Sequence, residues 1–217
     1  MLLEQKKSDQ GGHMQKAVGR ALGLAALALA AFDSAASAQD TVRVRGTIDR
    51  VDGPIYVVKA RDGAELKISL AENGVVVAIV KASLADIKPG LFVGSTGMPQ
   101  PDGSQKAVEV HIFPEAMRGI GEGHYAWDLQ PDSTMTDANV EETVAGVEGQ
   151  VLTLKYKTGE KKIVVTPQTA IVTYNLGDNK DLKPETKIFI AAAKKQADGT
   201  LQAARINYGK DGLAPPM

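Results

Sequence analysis

Residues 53–63, GPIYVVKARDG, return without a gap as residues 149–159, GQVLTLKYKTG. The match extends outward in both directions. Val51-Asp52-Gly53 aligns with Val147-Glu148-Gly149, Asp86-Ile87-Lys88-Pro89 with Asp181-Leu182-Lys183-Pro184, and Asp102-Gly103-Ser104 with Asp198-Gly199-Thr200. One deletion and one insertion between these anchors cancel. The chain is therefore an internal duplication, and a repeat of this length decides the architecture before any local feature does.

Each copy reads as β. In the first, residues 55–58, 66–70, 75–80, 91–97 and 108–113 are short runs rich in β-branched and apolar side chains. Asp52-Gly53, Asp62-Gly63, Asn73-Gly74 and Asp102-Gly103 punctuate them, and such pairs suit tight hairpin turns because glycine accepts a positive φ. The second copy repeats the scheme over 151–156, 161–166, 170–174, 187–193 and 203–208. In residues 108–113 (VEVHIF) the alternation sets Val108, Val110 and Ile112 on one face and Glu109 and His111 on the other, so His111 is expected on the solvent side of its strand. Met98, just after a strand, is expected to pack. Residues 81–88 (KASLADIK) fit a short helical turn between the third and fourth strands.

The expectation is an all-β chain with two tandem small OB-like barrels, residues 39–115 and 143–217, joined by a connector over residues 116–142. The pattern of V-[DE]-G, D-[LI]-K-P and D-G-[ST] turns resembles an uncharacterised bacterial family of exported OB-like β-domains, over residues 42–113 and 144–208. Chains of this layout also resemble proteins loosely labelled as metal-transport components. The resemblance implies a fold; it brings no catalytic residues.

Residues 1–38 read as export machinery. A basic segment (14–20, MQKAVGR) precedes twelve apolar residues (21–32, ALGLAALALAAF) and a small-residue stretch with Ala36 and Ala38 at the −3 and −1 positions. This is the pattern of a secretory signal peptide cleaved after Ala38, with Met14 read as the start, and the apolar run is short of the ~20 residues a membrane span takes. The expected location is the periplasm. There is no cysteine, which removes thiolate ligands, thiol redox chemistry and cysteine nucleophiles. No later apolar stretch is long enough to span a membrane.

The connector is the most individual segment. It holds the only tryptophan, Trp127, and carries one arginine against six acidic residues, whereas residues 143–217 carry 11 Lys+Arg against 7 Asp+Glu. Trp127, Tyr125, Arg118, Glu122 and Asp128 are the candidate binding residues, as an acidic strap that docks on a barrel or contributes a ligand surface. Met117, His124 and Met135 form an alternative set: thioether and imidazole suit a soft ion such as Cu(I). Met and Trp in a connector equally serve hydrophobic docking.

Other chemistries find less support. Residues 119–123 (GIGEG) lack the spacing of a dinucleotide loop and no Lys-Ser/Thr follows. Ser133, His124 and Asp128 could be drawn as a triad, but no nucleophile-elbow sequence accompanies them. Glu141 and Glu142 are adjacent and point apart on a strand. Near neutrality and few aromatics argue against nucleic acid. The sequence thus points to a non-enzymatic periplasmic binding or accessory protein, with no cofactor. Its partner is a small ligand or an envelope protein. A copper-type metal binder and a structural envelope interaction module are the alternatives.

Overall fold

The computed structural model describes residues 41–146 and 149–217; the expected signal peptide lies outside them. Twelve strands form the structure: β1 (Thr41–Asp52), β2 (Ile55–Ala60), β3 (Glu65–Lys81), β4 (Phe92–Pro99), β5 (Gln105–Ile112), β6 (Gly123–Ala126), β7 (Thr134–Gly146), β8 (Gly149–Tyr156), β9 (Gly159–Val165), β10 (Ala170–Leu176), β11 (Lys187–Lys195) and β12 (Leu201–Gly209). The helical turn expected in residues 81–88 is a single 3₁₀ turn, Leu84–Asp86, and the second copy has its counterpart at Asn179–Asp181. No helix among the described residues is long and apolar enough to cross a membrane.

The turn chemistry follows the sequence at most positions. Gly53, Gly63 and Gly103 all take positive φ. Asp102 accepts from the Ser104 amide at 3.0 Å and hydroxyl at 2.6 Å, and Asp198 repeats both bonds to Thr200 at 2.9 and 2.7 Å. Asn73-Gly74 differs. β3 runs through it as one 17-residue strand, and the expected hairpin is a bulge and register shift in the pairing with β12 instead.

That continuity has a large consequence. β1, β2 and β3 close into a barrel with β12 and β11, in the circuit β1-β2-β3-β12-β11-β1. β7, β8 and β9 close with β5 and β4, in the circuit β7-β8-β9-β5-β4-β7. Each barrel therefore takes three strands from one copy and two from the other. The arrangement corrects the expectation that residues 39–115 and 143–217 each close separately. In both circuits the third strand of one copy runs parallel to the last strand of the other, β3 to β12 and β9 to β5.

The cores record the exchange. One barrel is filled by Val44, Ile48 and Ile68 from the first copy against Ile188, Ile190 and Ile206 from the second. The other packs Val93 and Val110 against Leu152, Leu154 and Ile163. At ~1.5–3 kcal/mol for each large apolar side chain buried, the two copies hold each other through both interiors.

Where the copies pass, the second half of β3 pairs antiparallel with β10, its own counterpart in the duplication, centred on Ile79↔Tyr174. β10 also runs parallel to β5, so one continuous sheet links the barrels. The outer face of this shared sheet carries Ile79, Val172 and Phe189, which with Met217 form a third buried cluster. Trp127 of the connector packs on it.

Candidate functional site

Alternation places the outward residues of eight strands on this one face. Cross-strand partners share a face, and the pairings Gly94↔Asp137, Gly94↔His111, His111↔Val172, Ile79↔Tyr174, Asn207↔Val77 and Arg45↔Phe189 join the rows. In β5 Val110 and Ile112 face inward and Glu109 and His111 outward as the sequence predicts, but a bulge puts Ala107 rather than Val108 into the core. The expectation of solvent at His111 is corrected: it is 3% exposed and Glu109 is 0% exposed, because outside the barrel is beneath the connector.

His111 sits between two carboxylates. Its Nδ1 lies 3.0 Å from Glu109 Oε2, and its Nε2 faces Asp137 Oδ1 at 3.7 Å, beyond hydrogen-bond length. Glu109 also accepts from the Thr96 amide at 2.9 Å and hydroxyl at 2.8 Å. Burial alone would push the imidazole down, but the Glu109 and Asp137 carboxylates outweigh it and carry it up to about 10. The ring is thus an imidazolium at neutral pH, held by acceptors in a water-poor setting.

Gly94 makes the room. A Cβ there would collide with His111 Nε2 and with Asp137 Oδ1. Its counterpart beside Arg45, in the same pairing of the other barrel, is Phe189. Gly94→Ala is therefore expected to displace the ion pair and destabilise the protein by ~2–4 kcal/mol, from overpacking and loss of buried charge partners. Chemical denaturation checks this; a loss under ~0.5 kcal/mol would mean the pocket has slack.

The connector forms the roof. β6 pairs with β7, setting Tyr125 opposite Met135 and His124 opposite Thr136. Tyr125 donates to Asp137 Oδ2 at 2.5 Å, and burial followed by the Asp137 charge raises its phenol far above the usual range. Gly121 takes a positive φ and brings the loop against Asp137, where a Cβ would come within 2.6 Å of Oδ2. Arg118 donates to Gly90 O at 2.9 Å, to Asn139 and to Glu115. Glu122 accepts from the Lys157 amide at 3.0 Å. These contacts fix the roof to the β7–β8–β9 barrel.

Its far end grips the other barrel. Asp128 bridges Arg43 at 2.7 Å and Arg45 at 2.8 Å. Its partial burial acts to raise its carboxyl, but the two guanidinium groups hold it down at about 2. Arg43 stacks 3.7 Å from the Trp127 ring centroid, and Tyr125 meets Trp127 edge-on at 6.0 Å. Trp127→Ala is expected to cost ~2–3 kcal/mol, less than a fully buried tryptophan because the ring is half-buried. A melting curve unchanged by the substitution would show that the strap does not clamp the barrels.

Roof and sheet border a half-open cavity of about 410 Å³. Its walls are mostly apolar, from Phe113, Tyr174, Phe189, Trp127 and the methionines Met117, Met135 and Met217. Polar groups enter at His111, Asp137, Asn207 and Arg205. Three buried polar atoms on its residues have no hydrogen-bond partner: Asp137 Oδ1, Asn207 Oδ1 and Trp127 Nε1. The Asn207 amide is oriented by donation from Nδ2 to Phe189 O at 3.1 Å, which leaves Oδ1 as the free acceptor.

Of the candidate residues, Tyr125, Trp127, Met117 and Met135 line the cavity, while Arg118, Glu122 and Asp128 fasten its roof. His124 does not join the methionines. It pairs with Thr136, one residue from Met135, so alternation points it to the opposite face, where Nδ1 bonds Thr136 Oγ1 at 2.8 Å. Ser133 is also committed, 2.9 Å from Trp127 O and 2.8 Å from Gln130 O. No group of three or more His, Asp or Glu side chains poised for a metal occurs among the described residues. Sequence reasoning missed Glu109, Asp137, Tyr174, Arg205 and Asn207. The Glu-x-His spacing was visible, but nothing local reports that the face is covered.

No protein-family model matches the chain, and neither does any curated protein or solved structure, so the functional reading rests on the chemistry of this cavity.

Proposed function

We propose that the protein is an exported periplasmic binding protein without catalytic function, built of two OB-like barrels, and that the cavity under the strap is its ligand site. The observation that carries this is the cavity's make-up: mostly apolar walls of binding-pocket size with a few polar side chains, His111, Asp137, Asn207 and Arg205, among the lining residues. The strand order, with the third strand parallel to the last, supports the OB-like reading. The basic, apolar and small-residue pattern of residues 14–38 supports export.

Equilibrium dialysis of the purified protein against a small-molecule envelope extract, followed by mass spectrometry, tests the reading. The expected result is a compound retained by the native chain and lost from Ala204→Trp, which fills the cavity. Retention of nothing, or equal retention by both, would count against it.

A second reading keeps a soft metal. Met117 and Met135 share the cavity, and the imidazole that shares it is His111 rather than His124. Ligation there requires His111 to shed its proton against two carboxylates, so Cu(I) binding would release protons and strengthen as pH rises. A competition titration at two pH values decides it.

A further inference from the structure

The cavity has a closed end and an open one. At the closed end His111, Asp137 and Met135 are 2–5% exposed. At the other, Val75 and Ile120 are each 46% exposed, and Ala191, Ala192 and Ala204 are exposed with them. The mouth is thus rimmed by apolar side chains that continue into an apolar chamber, the mark of a surface that something apolar covers.

Arg205 stands at this mouth, half-buried, next to Ala204 and opposite Val75 in the pairing of β12 with β3. It has no carboxylate partner among the described residues; its polar contact is the Met117 thioether, 3.9 Å from a guanidinium nitrogen. The neighbouring charges are matched within the protein. Asp128 meets Arg43 and Arg45, and Glu109 meets His111. Asp137 accepts at Oδ2 from Tyr125 and turns Oδ1 to the His111 ring, so it offers a ligand no acceptor. The field runs along the chamber. Burial raises the Tyr174 phenol first; of the charges around it, Glu109 and Asp137 raise it further and Arg205 lowers it. With two carboxylates against one imidazolium the closed end is net negative, and the mouth at Arg205 is positive. An anion is therefore turned away from the depth of the chamber and held at its mouth.

We propose that the cavity binds an amphipathic monoanion, an apolar body carrying one carboxylate, with the head outward: the carboxylate pairs with Arg205 at the mouth, and the body lies along Phe113, Tyr174 and Phe189. A single unmatched guanidinium, whose planar fork takes a carboxylate through two parallel hydrogen bonds, sets the charge of the head at one. This rests on the reading of the cavity as a ligand site.

A matched series tests both levels. Calorimetric titration of the full purified chain with octanoate, octanol and octylamine separates the head from the body. Octanoate is expected to bind at least about tenfold tighter than octanol or octylamine, the gain of one charge-assisted hydrogen bond. Arg205→Met should weaken octanoate about tenfold and leave octanol unchanged, while Arg205→Lys should keep part of the preference. Ala204→Trp, which blocks the mouth, should abolish the binding of octanoate. Melting curves confirm that each variant is folded, and the ranking of the three probes on the native chain decides alone if Arg205→Met is not. Octanol or octylamine binding as tightly as octanoate, or octanoate unmoved by Arg205→Met, would overturn the anion assignment and leave the cavity reading standing. Binding of none of the three, or octanoate retained in full by Ala204→Trp, would overturn both.

Discussion

A chain nicked once in the roof, at a protease site placed between Pro131 and Asp132, is expected to remain one particle of undiminished mass. Gln130, Pro131 and Asp132 are exposed, so the cut itself disturbs little packing. It leaves β1–β6 on one fragment and β7–β12 on the other. Two sequential barrels would then part, held only by the strap's ion pairs at ~0–1 kcal/mol each. Here parting breaks β3 from β12, β1 from β11, β4 from β7, β5 from β9, and β10 from both β3 and β5. It also strips Ile188, Ile190 and Ile206 from Val44, Ile48 and Ile68. Separation should cost on the order of 10 kcal/mol or more from apolar exposure alone. Native mass spectrometry and light scattering after cleavage read the outcome. Two species of half mass would show that the barrels close within each copy.

Glu109→Ala should be among the most destabilising single substitutions, at ~3–5 kcal/mol, because it strands a buried imidazolium and leaves the Thr96 donors unpaired. The sign of the pH dependence follows. The folded-state His111 value, about 10, lies above its ordinary 6.5. Its contribution is therefore complete below pH ~6.5 and is lost as pH rises towards about 10. The native protein should lose stability across that window in urea melts, and Glu109→Ala should show a shallower slope there, with the His111 resonance titrating well below 10. Equal slopes would mean that His111 is neutral in the native protein.

Much of the local structure was legible. Alternation in residues 108–113 sorted Val110 and Ile112 from Glu109 and His111 correctly, but a bulge moves Val108 out of the inward row in favour of Ala107. The medium on the outer side was misjudged, because strand period reports sides and is silent on what covers them. The connector was recognisable by composition, and Trp127, Tyr125 and Asp128 do join the two barrels. His124 and Met135 looked like one ligand set by residue type. The pairing of β6 with β7 puts them on opposite faces, and that depends on register.

The sequence alone determined the β class, the turns at Asp-Gly pairs, the duplication and the separate standing of residues 116–142, because each follows from side-chain periodicity, turn chemistry or identity between segments. Tertiary structure alone decided which copy closes which barrel. The two copies present equivalent strands, so local preference cannot choose between partners. The choice is made at Asn73-Gly74, where β3 continues through a bulge for 17 residues instead of turning back. That length carries β4 and β5 beyond their own barrel into the other, and the crossing creates the shared sheet face on which the cavity stands.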